Sequence, residues 1–130
     1  MLAVDTNIVV RILVGDDPVQ SQIAAGLFRK HPIFIAQTVL LETEWVLRSA
    51  YKFSGKAIGA AFRGLAGVPN VTMENPWNLE KALRWHAEGM DFADAIHLTN
   101  RGKATEFVTF DNRLVKKAKA LSLGFVKQAR

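Results

Sequence analysis

Short apolar runs and longer amphipathic stretches follow one another along the whole chain. The runs at residues 2–4, 33–36, 68–73, 107–108 and 125–126 predict buried strands. Between them, apolar side chains recur every three or four residues, which predicts helices over 8–14, 18–31, 38–51, 76–88, 92–101 and 111–121, and another after residue 55. Strands that alternate with helices favour a parallel sheet covered on both faces. We therefore predict one domain, residues 1–130, built as a three-layer α/β/α sandwich around a central, mostly parallel sheet.

Composition narrows the class of protein. Hydrophobic residues make up 49% of the chain and charged residues 22%, which is typical of a globular domain with its own core. No stretch approaches the ~20 consecutive apolar residues of a membrane helix, and the first residues do not resemble a secretion signal. The absence of cysteine excludes disulfides and thiolate metal sites. We expect a cytoplasmic protein without a membrane segment.

The charge balance favours an anionic partner only in combination with the placement of the acids. The chain has 17 Lys and Arg against 12 Asp and Glu, a formal net charge of +5. If five of the acids gather at one site, only seven acids are left to balance the 17 bases elsewhere. These five are Asp5, Glu42, Asp91, Asp94 and Asp111. A basic surface around an acidic centre suits a protein that attracts a phosphate backbone and binds metal beneath it.

Four of these acids have positions that favour one shared site. Asp5 and Asp111 directly follow predicted strands, and ligands of parallel sheets bind beyond the carboxyl ends of the strands. Asp91 and Asp94 are three residues apart, on the same side of a helical turn. Each acid has an ordinary alternative role as a helix cap or a first-turn acid. Crowded carboxylates repel one another, however, and a divalent cation with oxygen ligands relieves that repulsion.

Glu42 is one of two glutamates in an otherwise apolar helix. An inward-facing carboxylate is costly without a partner, and a metal ion, a lysine or simple exposure would each remove that cost. We predict that Glu42 belongs to the site and that Glu44 faces solvent. Thr6 and Asn7, which follow Asp5, serve equally well as helix caps or as site residues.

The chain lacks the motifs of several other kinds of site. It has no phosphate-binding loop with a lysine, and its glycines do not have the spacing of a dinucleotide fingerprint. The three histidines show no spacing typical of zinc ligands. His97 lies three residues after Asp94 and could face the site, although packing or surface roles are commoner for such a residue.

Four motifs occur in the order found in a PIN domain. They are Asp5-Thr6-Asn7 after the first strand, Glu42, Asp91-Phe92-Ala93-Asp94-Ala95 at a helix start, and Val108-Thr109-Phe110-Asp111 near the end. The chain resembles a PIN domain over nearly its whole length. Its length and lack of added domains are similar to those of the VapC toxins of bacterial and archaeal toxin–antitoxin pairs.

This resemblance implies an activity, a cofactor and partners. It implies hydrolysis of an RNA phosphodiester bond by water that one or two Mg²⁺ or Mn²⁺ ions activate. It also implies a homodimer and a cognate antitoxin that covers the acidic site. The matching positions are the acidic metal ligands Asp5, Glu42, Asp94 and Asp111, the supporting polar residues Asn7 and Thr109, and Asp91, an extra acid found in many members.

Two other functions fit parts of the sequence. A non-catalytic RNA-binding or regulatory module with a structural cation would bind metal and RNA without cleavage. A metal-dependent phosphatase would act on a small phosphoester, but such enzymes usually have a second Asp two residues after the nucleophilic one, whereas Asn7 follows Asp5 here. Assays of RNA and of a small phosphoester side by side would separate these functions.

Surface residues predict contacts to RNA and to protein. The central helices carry more apolar residues than one core requires. These residues can be buried inside the domain or can form a second face for a partner, and we predict that Trp45 and Phe62 lie on a dimer or antitoxin surface. A set of basic residues would hold an RNA backbone without reading its bases. It comprises Arg48, Lys52, Lys56, Arg63, Lys116, Lys117 and Lys119.

Overall fold

The computed structural model describes all 130 residues of the chain. The backbone divides into two compact units, Met1–Pro76 and Trp77–Arg130, and each unit has its own parallel sheet. None of the helices combines the length and the apolar character that crossing a bilayer requires.

The first unit contains a three-stranded parallel sheet in the order β1-β2-β3. Its elements are β1 (Leu2–Ala3), α1 (Thr6–Val14), α2 (Pro18–Lys30), β2 (Ile33–Ile35), α3 (Gln37–Ser49), α4 (Gly55–Ala66) and β3 (Val71–Met73). In the register, Leu2 lies opposite Ile33, and Ile33 lies opposite Val71. Because the three strands run in one direction, Asp5 after β1 emerges at the edge where ligands of such sheets bind.

The core of this unit lies between the sheet and one face of each long helix. Ile33 and Ile35 of β2 are completely buried. Leu40 and Leu47, seven residues apart on α3, are buried as well, and Val9 of α1 is completely buried. A spacing of seven residues returns to the same face of a helix, so the predicted helical period is the one that the core uses.

Phe62 belongs to this core and not to a partner surface, so the prediction for this residue is wrong. It is completely buried on α4, together with Ile58 four residues before it and Leu65 three residues after it. Burial of a phenylalanine side chain stabilises the fold by about 2–3 kcal/mol, which explains its inward position. Trp45 of α3, the other residue of that prediction, is 59% exposed.

The second unit combines helices with a two-stranded parallel sheet. Its elements are α5 (Pro76–Ala87), which begins at the boundary between the units, α6 (Phe92–Thr99), β4 (Phe107–Thr109), α7 (Asn112–Ala120) and β5 (Val126–Gln128). Phe107 lies opposite Val126, and Val108 lies opposite Lys127. The buried leucines of this unit are Leu79, Leu83, Leu98 and Leu114.

These elements confirm the predicted α/β class with parallel strands. The central sheet contains three of the five predicted strands, and β4 and β5 pair in a second sheet, so Asp5 and Asp111 follow strands of different sheets. The other differences are at strand ends. The strand predicted at 68–73 begins only at Val71. Pro69 has no amide hydrogen for a sheet ladder, and the Asn70 side chain donates instead to the His31 carbonyl at 2.8 Å. The last strand continues to Gln128, beyond the apolar pair at 125–126 from which it was predicted.

Candidate active site

Asp5 follows β1 directly and caps α1. Its backbone is extended, and its Oδ1 accepts a hydrogen bond from the Thr6 amide at 2.7 Å. A carboxylate at this position also complements the positive end of the helix dipole. The other end of α1 is closed by Gly15, whose φ of 70° lies in the left-handed region that glycine adopts without strain. The cap fixes the exposed Asp5 side chain at the carboxyl end of a parallel strand.

Glu42 is held near this strand end through Thr6. Thr6 is buried, and its hydroxyl donates a hydrogen bond to Glu42 Oε1, while Glu42 itself is exposed on α3. A cleft of about 320 Å³, which we call the Glu42 cleft, opens here. It brings together three residues predicted for the site, Asp5, Asn7 and Glu42. Its complete lining is Asp5, Thr6, Asn7, Val10, Arg11, Glu42, Val46 and Tyr51.

Glu44, which was predicted to face solvent, is the buried glutamate of α3. Only 4% of it is exposed, and its Oε2 accepts a hydrogen bond from Arg48 Nε at 2.8 Å. The helical period places Glu44 on the face of Leu40 and Leu47, whereas Glu42 lies on another face. The prediction for Glu44 is wrong because Arg48, one turn later, supplies the partner that makes its burial tolerable.

Arg11 and Tyr51 line the Glu42 cleft, although the sequence argument selected neither. Arg11 Nη1 lies 3.1 Å from Asp16 Oδ1, and the Tyr51 hydroxyl donates to Asp16 Oδ2 at 2.8 Å. A hydrogen bond from Arg11 to Tyr51, with the charge of Asp16, raises the pKa of Arg11 above its ordinary value. The Glu42 cleft therefore contains a permanent positive charge, paired with Asp16, as well as the carboxylates of Asp5 and Glu42. The signal in the sequence is that Arg11 lies four residues after Asn7, on the same face of α1.

A second group of acids begins α6 and α7. Asp91 caps α6, and its Oδ1 accepts a hydrogen bond from the Asp94 amide at 3.0 Å. Asp111 caps α7, and its Oδ1 accepts from the amides of Arg113 at 2.9 Å and Leu114 at 3.1 Å. Both acids therefore have the capping role that the sequence offered as their ordinary alternative.

Thr109 supports Asp111 at the end of β4. The Asp111 amide donates a hydrogen bond to the Thr109 hydroxyl at 2.9 Å. Asp111 therefore makes hydrogen bonds through both its amide, to the Thr109 side chain, and its carboxylate, to amides of α7. These contacts fix the direction in which the Asp111 side chain leaves the strand.

Asp94 is partly buried in the electrostatic field of the neighbouring acids. Burial raises its pKa above the ordinary value, the negative charges of Asp91 and Asp111 raise it further, and His97 lowers it. The acids of this group are close enough to repel one another, and we call Asp91, Asp94 and Asp111 the Asp94 cluster. His97 is exposed on α6, one turn beyond Asp94, and acts on it through its charge.

The donor chemistry of both acidic groups fits Mg²⁺ or Mn²⁺. As the side chains are positioned, no group of three or more His, Asp or Glu residues is close enough to hold a metal ion. The available donors are carboxylate oxygens, which hard divalent cations prefer. The raised pKa of Asp94 comes first from burial and then from repulsion by Asp91 and Asp111, and a bound cation would offset that repulsion.

A single family model accounts for nearly the whole chain. The model of the PIN domain matches residues 2–120, a range that includes the Glu42 cleft and the Asp94 cluster. The chain belongs to the PIN domain family. A search of curated proteins and a search of solved structures found no match.

Membership of the PIN family assigns the chain to a class of proteins that are typically nucleases. PIN domains generally use divalent metal ions such as Mg²⁺, which agrees with the oxygen donors of both acidic groups. The match extends across both compact units. That residues 1–130 form a single domain stays a prediction.

Proposed function

We propose that this PIN domain is a Mg²⁺- or Mn²⁺-dependent endoribonuclease. The observation that carries the proposal is the Glu42 cleft, in which Asp5, Asn7 and Glu42 line one cavity although Glu42 is distant in sequence from the other two. Carboxylates that share a cleft with a permanent cation, Arg11, suit a site for a metal ion and a phosphodiester.

The proposed metal ligands are the four acids that the order of the motifs implies. When bound, the metal ions would activate a water molecule and stabilise the leaving oxygen. The protein positions the ligands: helix amides hold the carboxylates of Asp5 and Asp111, and Thr6 holds Glu42. The ligands are Asp5, Glu42, Asp94 and Asp111, and Asn7, Asp91 and Thr109 support them.

The finer part of the proposal is a VapC-type toxin that forms a homodimer, acts in the cytoplasm and is inhibited by a cognate antitoxin. The order of the four motifs supports it. Trp45 is 59% exposed and lies three residues after Glu42 on α3. A large exposed aromatic about one helical turn after Glu42 offers an anchor to a protein that covers the site.

The direct test is incubation of the purified protein with a mixed pool of cellular RNA, followed by mapping of new RNA ends. Wild type with Mg²⁺ or Mn²⁺ should give discrete cleavage, whereas wild type with a chelator and Asp94→Asn with metal should give none. Glu80→Gln is the matched control, because Glu80 is an exposed acid of α5, a helix that contains none of the proposed site residues.

Other outcomes of the same assay point to the other functions. Binding of metal and RNA without any cleavage would replace the proposal with a non-catalytic regulatory module. Hydrolysis of a small phosphoester with intact RNA would indicate a phosphatase.

The toxin assignment needs a separate test in growing cells. Induced expression of wild type should arrest growth, and Asp94→Asn should not. Coexpression of the product of the neighbouring gene should restore growth if that gene encodes the antitoxin. Growth that is unaffected by an active wild-type nuclease would remove the toxin assignment and leave the ribonuclease in place.

A further inference from the structure

Phe110 lies directly before Asp111, and 83% of it is exposed. Phe110 comes directly after the last residue of β4, and Val108 within that strand is 60% exposed. Lys127 of β5 lies opposite Val108 in the parallel register and is also half-exposed. The open face of the β4–β5 sheet therefore carries a valine and an ammonium group, with Glu106 Oε2 3.9 Å from Lys127 Nζ, and the exposed Phe110 ring follows directly after β4.

The backbone around the ring is fixed by hydrogen bonds. The Phe110 carbonyl accepts from Gln128 Nε2 at 3.4 Å, and the Thr109 carbonyl accepts from the Ala129 amide at 2.8 Å. On the other side, the Asp111 amide is bound to the Thr109 hydroxyl. Hydrogen bonds therefore fix the backbone that carries the Phe110 ring, and the next residue, Asp111, is a proposed metal ligand. The ring itself is exposed and contributes little to the core of the unit.

The net positive charge of the second unit favours a nucleic acid as the ligand of the surface around Phe110. Residues 77–130 contain ten Lys and Arg against six Asp and Glu, and three of those six acids form the Asp94 cluster. Helix α7, which begins immediately after Asp111, contains four of the basic residues. A phosphate backbone would be attracted to this surface whatever its sequence. The four are Arg113, Lys116, Lys117 and Lys119.

We propose that Phe110 stacks against an unpaired RNA base beside the phosphodiester bond that is cut. This inference rests on the proposed ribonuclease function and adds to it a residue that contacts a base of the substrate. Aromatic rings stack on splayed-out bases of single strands, and every base offers a π-face, so the contact adds affinity with little sequence preference. A duplex keeps its bases stacked inside and gains nothing from the ring.

A protein partner fits this face less well than RNA does. Two apolar side chains, Val108 and Phe110, are a small fraction of the roughly 800 Å² that each partner buries in a stable protein interface. The charged pair of Glu106 and Lys127 lies on the same face and would have to be desolvated by an apolar partner.

The test compares three substitutions of Phe110 in the Asp94→Asn background, which is expected not to cut RNA. The measurement is fluorescence anisotropy with a short, labelled single-stranded oligoribonucleotide and with the same sequence as a duplex. Phe110→Ala and Phe110→Leu should weaken single-strand binding by about 10- to 100-fold, and Phe110→Tyr should bind like the parent. Duplex binding should change little in all three.

Trp77→Ala is the matched control, because Trp77 is 85% exposed on α5 of the same unit and lies away from β4 in the sequence. It should leave single-strand binding unchanged. Wild-type affinity in Phe110→Ala overturns the inference. Wild-type affinity in Phe110→Leu also overturns it, because leucine keeps an apolar contact without a π-face.

The inference and the proposed function fail in different ways. If wild type cuts RNA and Phe110→Ala cuts single strands equally fast, the stacking role is wrong and the ribonuclease stands. If binding depends on the aromatic ring but wild type cuts nothing with Mg²⁺ or Mn²⁺, the contact of Phe110 with single-stranded RNA stands and the ribonuclease is wrong. Melting temperatures of all variants should match the parent, since an exposed ring contributes little to the core.

Discussion

The hydroxyl of Thr6 donates a hydrogen bond to Glu42 Oε1, although the two residues are 36 positions apart. The contact joins the first residue of α1 to the middle of α3. It also links the residue directly after Asp5 to the other acid of the Glu42 cleft. Thr6 is therefore a positioning residue for a proposed metal ligand as well as the start of a helix.

Thr6→Val keeps the shape of the side chain and removes the hydroxyl. We expect cleavage to fall by about 10- to 100-fold, as for other residues that orient metal ligands, and unfolding free energy to fall by about 1 kcal/mol. Single-turnover cleavage and urea denaturation measure the two effects. Thr6→Ser should restore most of the activity, and full activity in Thr6→Val would show that the hydrogen bond does not position Glu42.

The two glutamates of α3 should respond to substitution in opposite ways. Glu44→Gln weakens a mostly buried contact to Arg48, and we expect it to lower the unfolding free energy by about 1–3 kcal/mol with activity retained below the melting transition. Glu42→Gln, at an exposed position, should abolish cleavage with almost no change in stability. The reverse pattern in melting and cleavage assays would exchange the roles of the two residues.

Substitution of Phe62 and of Trp45, which the sequence placed together on a partner surface, should have unequal effects on stability. Phe62→Ala should lower the unfolding free energy by about 3–5 kcal/mol, because it leaves a cavity in the core of the first unit. Trp45→Ala should change stability by less than about 0.5 kcal/mol, because the ring is largely exposed. Denaturant titrations measure both, and equal effects would contradict the assigned burial.

These residues show which features the sequence could predict. Periodicity located every helix and strand within a few residues, because apolar spacing is imposed by which face of an element is buried. The capping acids Asp5, Asp91 and Asp111 were found for the same reason, since a strand end or helix start is visible in the local pattern.

Two kinds of feature were harder to predict from the sequence. One is a contact between residues that are distant along the chain, and the other is the choice of which face of a helix is buried. Two glutamates two residues apart in an apolar helix give almost the same local pattern, and only the position of Arg48 and the face of Leu40 decide that Glu44 is buried. The link from Thr6 to Glu42 and the approach of Tyr51 to Arg11 come from the packing of helices. No spacing rule along the chain contains that information.

The electrostatics of Asp94 predict a dependence of stability on pH. Its pKa is raised in the folded protein, so the folded state binds this proton more tightly than the unfolded state does. Its stabilising contribution is therefore complete below the unfolded pKa of ~3.9 and is lost as pH rises through the folded pKa. At neutral pH without divalent metal, ionised Asp94 should destabilise the fold.

Asp94→Asn, which cannot ionise, should therefore melt at a higher temperature than wild type at about pH 7 in a chelator. The difference should shrink as the pH approaches about 4. Thermal melts over this range measure it, with Glu106→Gln as the control for loss of a surface acid. A wild type that melts higher than Asp94→Asn at pH 7 without metal would contradict the assigned repulsion.

Bound metal should reverse the order of the melting temperatures of wild type and Asp94→Asn. A ligand that binds only the folded state raises stability by RT ln(1 + [L]/Kd), about 2.7 kcal/mol at a hundredfold excess over Kd. Mg²⁺ or Mn²⁺ should raise the melting temperature of wild type and of Glu106→Gln and leave Asp94→Asn unchanged. An equal rise in all three would place the cation elsewhere on the protein.

We propose that the protein cuts RNA with metal ions held by Asp5, Glu42, Asp94 and Asp111. The most direct test is the cleavage rate of single-stranded RNA as Mg²⁺ is titrated from zero. We predict no cleavage in a chelator, a saturable rise with metal for wild type, and a rate at least about 100-fold lower for Asp94→Asn at every concentration. Cleavage that persists without metal, or that is equally fast in Asp94→Asn, would contradict the proposed site.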